Sequence, residues 1–203
     1  MEIVNLIQGS QDWLEWREDR ITASDAAIIL RLNKYTSPIK LWEEKMRLIP
    51  SKIPNDHMLR GQLLEPIARQ LFIQETGLFV EPTVAQHSDL FWMGASLDGI
   101  DKSKTLIVEI KCPMIGGYTN SLMFGEIPPM YKAQMQHQLC VTGAHMCFYV
   151  TYNEQHEQKI NIIEVARDES FIQHMVASEQ AFYKEFICGF KRPPQNWQYK
   201  EAA

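Results

Sequence analysis

The sequence contains no apolar run near the roughly 20 residues that a membrane-spanning helix requires, so no membrane segment is expected. Its opening, Met-Glu-Ile-Val-Asn-Leu, lacks a basic stretch followed by an apolar core and a cleavage site, so no signal peptide is expected. Cysteine is sparse. Cys112, Cys140, Cys147 and Cys188 form no Cys-x-x-Cys pair, and their spacing suits neither a zinc site nor an iron–sulfur cluster. Such thiols fit a reducing compartment, and a cytoplasmic location is expected. Internal repeats, low-complexity tracts and Gly/Ser linkers are also missing, which predicts one domain over residues 1–203. A basic excess is missing too: the formal net charge is −5. That argues against broad electrostatic coating of nucleic acid, while leaving room for a local basic groove. With hydrophobic residues at 45% and charged residues at 22%, the chain has the material for a core, which favours a globular chain over a disordered one.

The first third reads as helical. Asp12 to Arg17 form a short amphipathic piece, and Thr22 or Ser24 can cap a helix reaching about Leu30. Ser37-Pro38 looks like an N-cap followed by a first-turn proline, leading to about Met46. Leu59 to Glu75 has the longest helical period, with Leu63, Ile67, Leu71 and Phe72 expected on its buried side and Gly77 as its stop. The period then changes. Phe79 to Ala85, Phe91 to Ala95, Thr105 to Ile110, His145 to Tyr152 and Ile160 to Val165 are short runs bounded by turn residues. A helix from about Pro129 to Val141 and a closing one from Ser170 to Ile187 complete the pattern. It predicts an α/β fold, a central mixed sheet flanked by helices.

One segment carries chemistry: Ser96-Leu97-Asp98-Gly99-Ile100, then Leu106-Ile107-Val108-Glu109-Ile110-Lys111. Glu109 and Lys111 stand two apart on a predicted strand and share a face, with Val108 and Ile110 turned the other way. Asp98 is read as part of an Asp-Gly turn whose hairpin returns it beside Glu109 at the sheet rim. Two converging carboxylates, with the Ile110 carbonyl, make a hard oxygen site for Mg²⁺ or Mn²⁺. A neighbouring lysine can orient water and stabilise charge on phosphate, so the set fits metal-assisted phosphodiester hydrolysis. The plainer alternative is a solvated Glu-x-Lys salt bridge and an ordinary turn.

Other pieces follow the same logic. Glu65, beside the apolar stripe of the long helix, needs a partner: a metal, or Arg69 one turn on. Gln134 and Gln138 are one helical turn apart and can turn amides toward the site, or simply make a polar face. His137 has no second histidine at ligand spacing and is expected to be structural or solvated rather than a metal ligand. Arg17 and Ser24, with a helix N-terminus, can form a phosphate-binding corner. The alternative there is a surface charge, a cap and two core tryptophans.

In this order the pieces resemble the lambda exonuclease / YqaJ-type viral recombinase family, within the restriction-endonuclease-like nucleases. The resemblance rests on Trp13, Arg17 and Ile21 to Ser24; on Gly61 with Glu65; on Leu97-Asp98-Gly99; on Glu109-Ile110-Lys111-Cys112-Pro113; and on Tyr131, Gln134 and Gln136. Asp19 stands where that family often has glycine, and Leu97 where proline is common. The resemblance implies a restriction-endonuclease-like core and a metal-dependent deoxyribonuclease of a phage or prophage. It implies 5′→3′ digestion of one strand of linear duplex DNA, leaving 3′ overhangs for a single-strand annealing protein, by a homotrimeric ring. Asp98, Glu109 and the Ile110 carbonyl would hold Mg²⁺, Glu65 and Gln134 would support the site, and Lys111 would act on the water. Arg17 and Ser24 would grip the 5′-phosphate. An endonuclease or resolvase of the same superfamily, and an inactive DNA-end-binding module, remain alternatives.

Overall fold

The structure, a computed structural model, describes residues 1–50 and 55–200. Strand β1 (Glu2–Val4) leads to helix α1 (Gln11–Glu18), the two-residue strand β2 (Ile21–Thr22), and helices α2 (Ala23–Ile29), α3 (Pro38–Lys45) and α4 (Asp56–Thr76). Three strands follow, β3 (Val80–Gln86), β4 (Met93–Asp101) and β5 (Leu106–Lys111), then helices α5 (Ile115–Phe124) and α6 (Pro129–Thr142). Strands β6 (Met146–Tyr152) and β7 (Ile160–Ala166) precede helix α7 (Glu169–Phe182), which widens into a π-helical turn at Tyr183–Cys188. Among the described residues the strands form one seven-stranded sheet in the order β1-β3-β4-β5-β6-β7, with β2 paired to β4. The β5–β6 and β2–β4 pairs are parallel and the others antiparallel, so the sheet is mixed, as predicted. No described helix is long and apolar enough to cross a membrane.

Both faces of the sheet are covered, because alternate residues of the central strands are apolar on both sides. Ile107, Cys147 and Tyr149 join Met135 and Leu139 of α6, and residues of α2, α3 and α7, in the larger cluster. Val108, Ile110, Phe148 and Val150 meet Ala68 and Phe72 of α4 on the other face. Phe72 is fully buried against Phe148, with ring centroids 5.5 Å apart, a burial that stabilises the fold by about 1.5–3 kcal/mol.

Three expectations need correction here. The buried stripe of α4 runs through Leu64, Ala68 and Phe72, whereas Leu63 and Ile67 are 75% and 52% exposed. The adjacent leucines offer two stripes about 100° apart, and the sheet selects the one that small Ala68 lets approach closely. Asp98 lies inside β4 rather than at a turn. The turn comes at Asp101, whose carboxylate accepts the backbone N–H groups of Ser103, Thr105 and Leu106. The π-helical turn likewise replaces the last α-helical turn expected up to Ile187. Sequence reading also passed over β1, β2 and α5. The first two are too short to show a period, and α5 carries Gly116-Gly117 with no capping side chain.

The β4 strand holds the irregularity that matters. Its register with β3 shifts between the Glu81–Ile100 and Thr83–Leu97 pairs, so Asp98 and Gly99 together stand opposite Pro82. A proline without an N–H suits such a bulge, and bulges re-aim side chains. Gly99 is required there because a Cβ would lie 2.8 Å from a methyl of Val80. Upstream, a Cβ on Gly94 would lie 2.5 Å from the Trp16 ring, so the glycine lets α1 pack onto β4.

Candidate active site

Beyond the bulge, β4 and β5 pair antiparallel through Gly99–Val108 and Ile100–Ile107, and continuing that register sets Asp98 beside Glu109. The main-chain N–H of Ile110 donates to an Asp98 oxygen at 2.7 Å, fixing the carboxylate across the strand gap. Glu109 is not at the rim as expected. It is 1% exposed beneath α6, because its face of β5 is the one that α6 covers. A buried carboxylate needs partners. Gln134 donates to one of its oxygens at 2.6 Å and Gln138 to the other at 2.5 Å, and Lys111 pairs with the first. The amides one turn apart on α6 thus clasp Glu109 from above. Lys111 is partly exposed, and its ammonium lies over the Tyr131 ring, 4.9 Å from the centroid.

Glu65 enters from α4, immediately before Pro66, whose missing N–H interrupts the helical ladder there. It pairs with Arg69, the plainer of its two expected partners, and it also lies near enough to Glu109 and Lys111 to feel their charges. Burial raises the Glu65 carboxyl, with Arg69 opposing and Glu109 adding to the rise. Asp98 is pushed well above the usual carboxylate range, first by burial and then by the negative charges of Glu109 and Glu65. Lys111 would be lowered by burial alone, but Glu109 and Asp98 outweigh that and hold it as a cation above its ordinary value.

The donor chemistry suits a divalent cation of the Mg²⁺ or Mn²⁺ type. Such ions commonly take one or two carboxylates, with water and substrate phosphate completing the shell. Asp98 and Glu109 are carboxylates of this kind, and a cation beside them would offset the burial and the neighbouring negative charges that raise Asp98. Among the described residues no group of three or more His, Cys, Asp or Glu is placed to hold a metal, so a cation here would take at most two side-chain carboxylates and complete its shell with other oxygens.

The other expected corner is assembled on the same strand. Strand β2 runs beside β4 with Thr22 opposite Gly94, and the Trp13 indole donates to Ser96, two residues before Asp98, at 2.7 Å. Arg17 lies over the Trp13 ring at 4.5 Å and donates to Ser24 Oγ at 3.0 Å, so the predicted pair is brought together. Ser24 is not the cap, however. Thr22 caps α2, its hydroxyl and backbone N–H both meeting the Asp25 carboxylate at 2.9 Å. Below them Asp25 pairs with buried Lys45 at 2.8 Å, and Lys45 donates to the carbonyls of Arg17 and Arg20. Burial pulls Arg17 below its ordinary value, with Asp25 and Glu44 opposing. Trp13 and Trp16 are half-buried platforms rather than core residues. Asp19, in the place of a family glycine, has φ −84°, a conformation any residue adopts.

His137 is structural, as expected. It is fully buried between Glu179, at 2.9 Å, and the Gly94 carbonyl, at 3.0 Å, tying α6 to α7 and β4. Gln136 turns away from the carboxylates toward the backbone of Ala166 and Asp168. Sequence reasoning missed Lys45, since nothing local to residue 45 signals a buried partner for Asp25. It also missed that Arg69 reaches beyond Glu65 to the Asp98 carbonyl, at 2.5 Å.

Comparison with known proteins bears on the family and the fold. A family model described as the YqaJ-like viral recombinase domain matches residues 12–145. The Bacillus subtilis (strain 168) protein YqaJ is 29% identical over 191 residues, covering 90% of this chain and 58% of its own length. This chain therefore spans a little over half of that relative. The crystal structure of an alkaline exonuclease (LHK-Exo) from Laribacter hongkongensis superposes with a TM-score of 0.78 at 28% identity, covering 89% of this chain and 94% of that one. LHK-Exo has also been crystallised with dAMP. A phage-related exonuclease from Haemophilus somnus 129PT shares the fold, with a TM-score of 0.61 at 16% identity over 85% of this chain and 96% of that one.

Proposed function

Because the chain belongs to the YqaJ-like viral recombinase domain family, we propose that it is a metal-dependent deoxyribonuclease of recombination, digesting one strand of linear duplex DNA from its 5′ end. The observation that carries the reading is the meeting of Asp98, Glu109 and Lys111 where β4 and β5 pair, with Arg17 on α1 and Ser24 on α2 held against the same β4 strand through Trp13 and β2. The likeness to an alkaline exonuclease supports it.

Asp98, Glu109 and the Ile110 carbonyl would hold Mg²⁺, with Mn²⁺ as a substitute, and the bound ion would supply Lewis acidity and a more acidic water. Lys111, held as a cation, orients the attacking water and stabilises charge developing on the phosphate. Gln134 and Gln138 aim Glu109, since each donates to a different one of its carboxylate oxygens. Glu65 adds a carboxylate for water or metal. Arg17 and Ser24 take the 5′-phosphate, so digestion proceeds in one direction and leaves a 3′ overhang. A single-strand annealing protein would receive that strand, and three copies of the chain would encircle the duplex.

End-labelled linear duplex and closed circular duplex, incubated with and without Mg²⁺, test this reading. Loss of 5′ label from the linear DNA alone, only with Mg²⁺, is the expected result. Cutting of the circle would make the protein an endonuclease instead, and binding without any cutting an end-binding module. The corner has its own test. Arg17→Ala removes a charge-assisted donor, so the preference for 5′-phosphate over 5′-hydroxyl ends is expected to fall roughly ten- to a hundredfold. An unchanged preference in competition assays would take Arg17 out of the role.

A further inference from the structure

The α4 helix presents one guanidinium to two different carriers of the site. One edge of Arg69 donates from Nε to the main-chain carbonyl of Asp98, at 2.5 Å, and from Nη2 to the Glu65 carboxylate. The Asp98 carbonyl belongs to the bulge, opposite Pro82, which cannot donate a hydrogen bond. The Arg69 side chain is only 15% exposed and that of Glu65 26%, so water competes weakly for either bond. Two parallel N–H groups in a fixed fork span two oxygens from separate elements, which a single ammonium cannot do.

From this geometry we infer that Arg69 is a positioning residue: its guanidinium clamps the β4 bulge to α4, setting the aim of the Asp98 carboxylate and holding Glu65 beside it for a divalent cation. The inference rests on the metal-dependent nuclease reading only in assigning a cation to these carboxylates. Arg69 touches neither substrate nor reacting atoms. Its contribution is to remove freedom from a strand segment that lacks normal ladder pairing, and to bind α4 to the one carboxylate that β5 anchors through Ile110.

The test is direct Mn²⁺ binding to the full chain, read from the electron paramagnetic resonance of free Mn²⁺, for wild type, Arg69→Ala and Arg69→Lys. Arg69→Lys keeps the charge and protects the fold if alanine does not, and circular dichroism checks both. Losing a positive charge near carboxylates should by itself tighten cation binding, whereas losing the clamp should weaken it. Both variants are expected to bind Mn²⁺ about tenfold more weakly, the usual scale for groups that orient metal ligands. Wild-type affinity in Arg69→Lys, with tighter binding in Arg69→Ala, would reduce Arg69 to a charge and overturn the clamp. DNA digestion by the wild type in the same buffer separates this from the functional reading. Mn²⁺ binding that Arg69→Lys weakens, with DNA left intact, sinks the nuclease and keeps the clamp. Digestion with unchanged variant affinities does the reverse. A wild type that takes up no Mn²⁺ overturns both.

Discussion

Replacing Lys111 by alanine is expected to lower DNA cleavage by a factor on the order of 10²–10³, the usual cost of losing one preorganised group that stabilises transition-state charge. Binding of duplex ends should stay close to the wild-type level, because the Arg17 corner is untouched. The fold should survive as well. Glu109 loses its cation but keeps the two amide donors from Gln134 and Gln138, so it is not left bare in the core. The partial exposure of the lysine further limits the cost. A single-turnover rate on end-labelled duplex, paired with a binding isotherm in Ca²⁺, makes the measurement. If the variant cuts at the wild-type rate, charge on Lys111 plays no part in the reaction. A variant that neither binds nor folds would show that the lysine is chiefly a structural partner of Glu109.

The legibility of this site in the sequence followed from local periods. Glu109 and Lys111 are two apart on a strand and Gln134 and Gln138 four apart on a helix, so each pair could be assigned to one face before any fold was known. Asp98 was harder. Asp-Gly encodes a turn and a bulge equally well, and the decision belongs to Pro82, sixteen residues earlier on the neighbouring strand. The same applies to α4, where Leu63 and Leu64 are chemically identical and only the sheet beneath chooses between them. The reach of Arg69 to the Asp98 carbonyl, and the burial of Lys45 under Asp25, are long-range contacts with main chain or buried charge. No pattern of residue types announces these. Thus ordered motifs named most of the groups with chemical potential, while the restraints that aim them came only with tertiary packing.

Asp98→Asn should separate stability from activity. In the folded chain the Asp98 carboxyl titrates well above its ordinary range, because burial and the charges of Glu109 and Glu65 disfavour its ionised form. A carboxyl raised on folding costs nothing at pH values below the unfolded pKa, where both states are protonated. The cost grows as pH rises from there and is complete above the raised folded value. The metal-free protein is therefore expected to lose stability across that window, and a neutral asparagine, which can still accept from the Ile110 N–H, should remove this loss. Each 1 kcal/mol so relieved raises the melting temperature by about 2–4 °C for a domain of this size. Added Mg²⁺ acts on the same crowding by a different route, so it should stabilise the wild type and leave Asp98→Asn almost unmoved. Cleavage by the variant should fall to the level of the wild type without metal. Thermal melts across pH, with and without Mg²⁺, read all of this out in one series. A variant that melts below the metal-free wild type at neutral pH would mean that the Asp98 charge holds β4 to β5. In that event the carboxylates are a structural network and not a cation site.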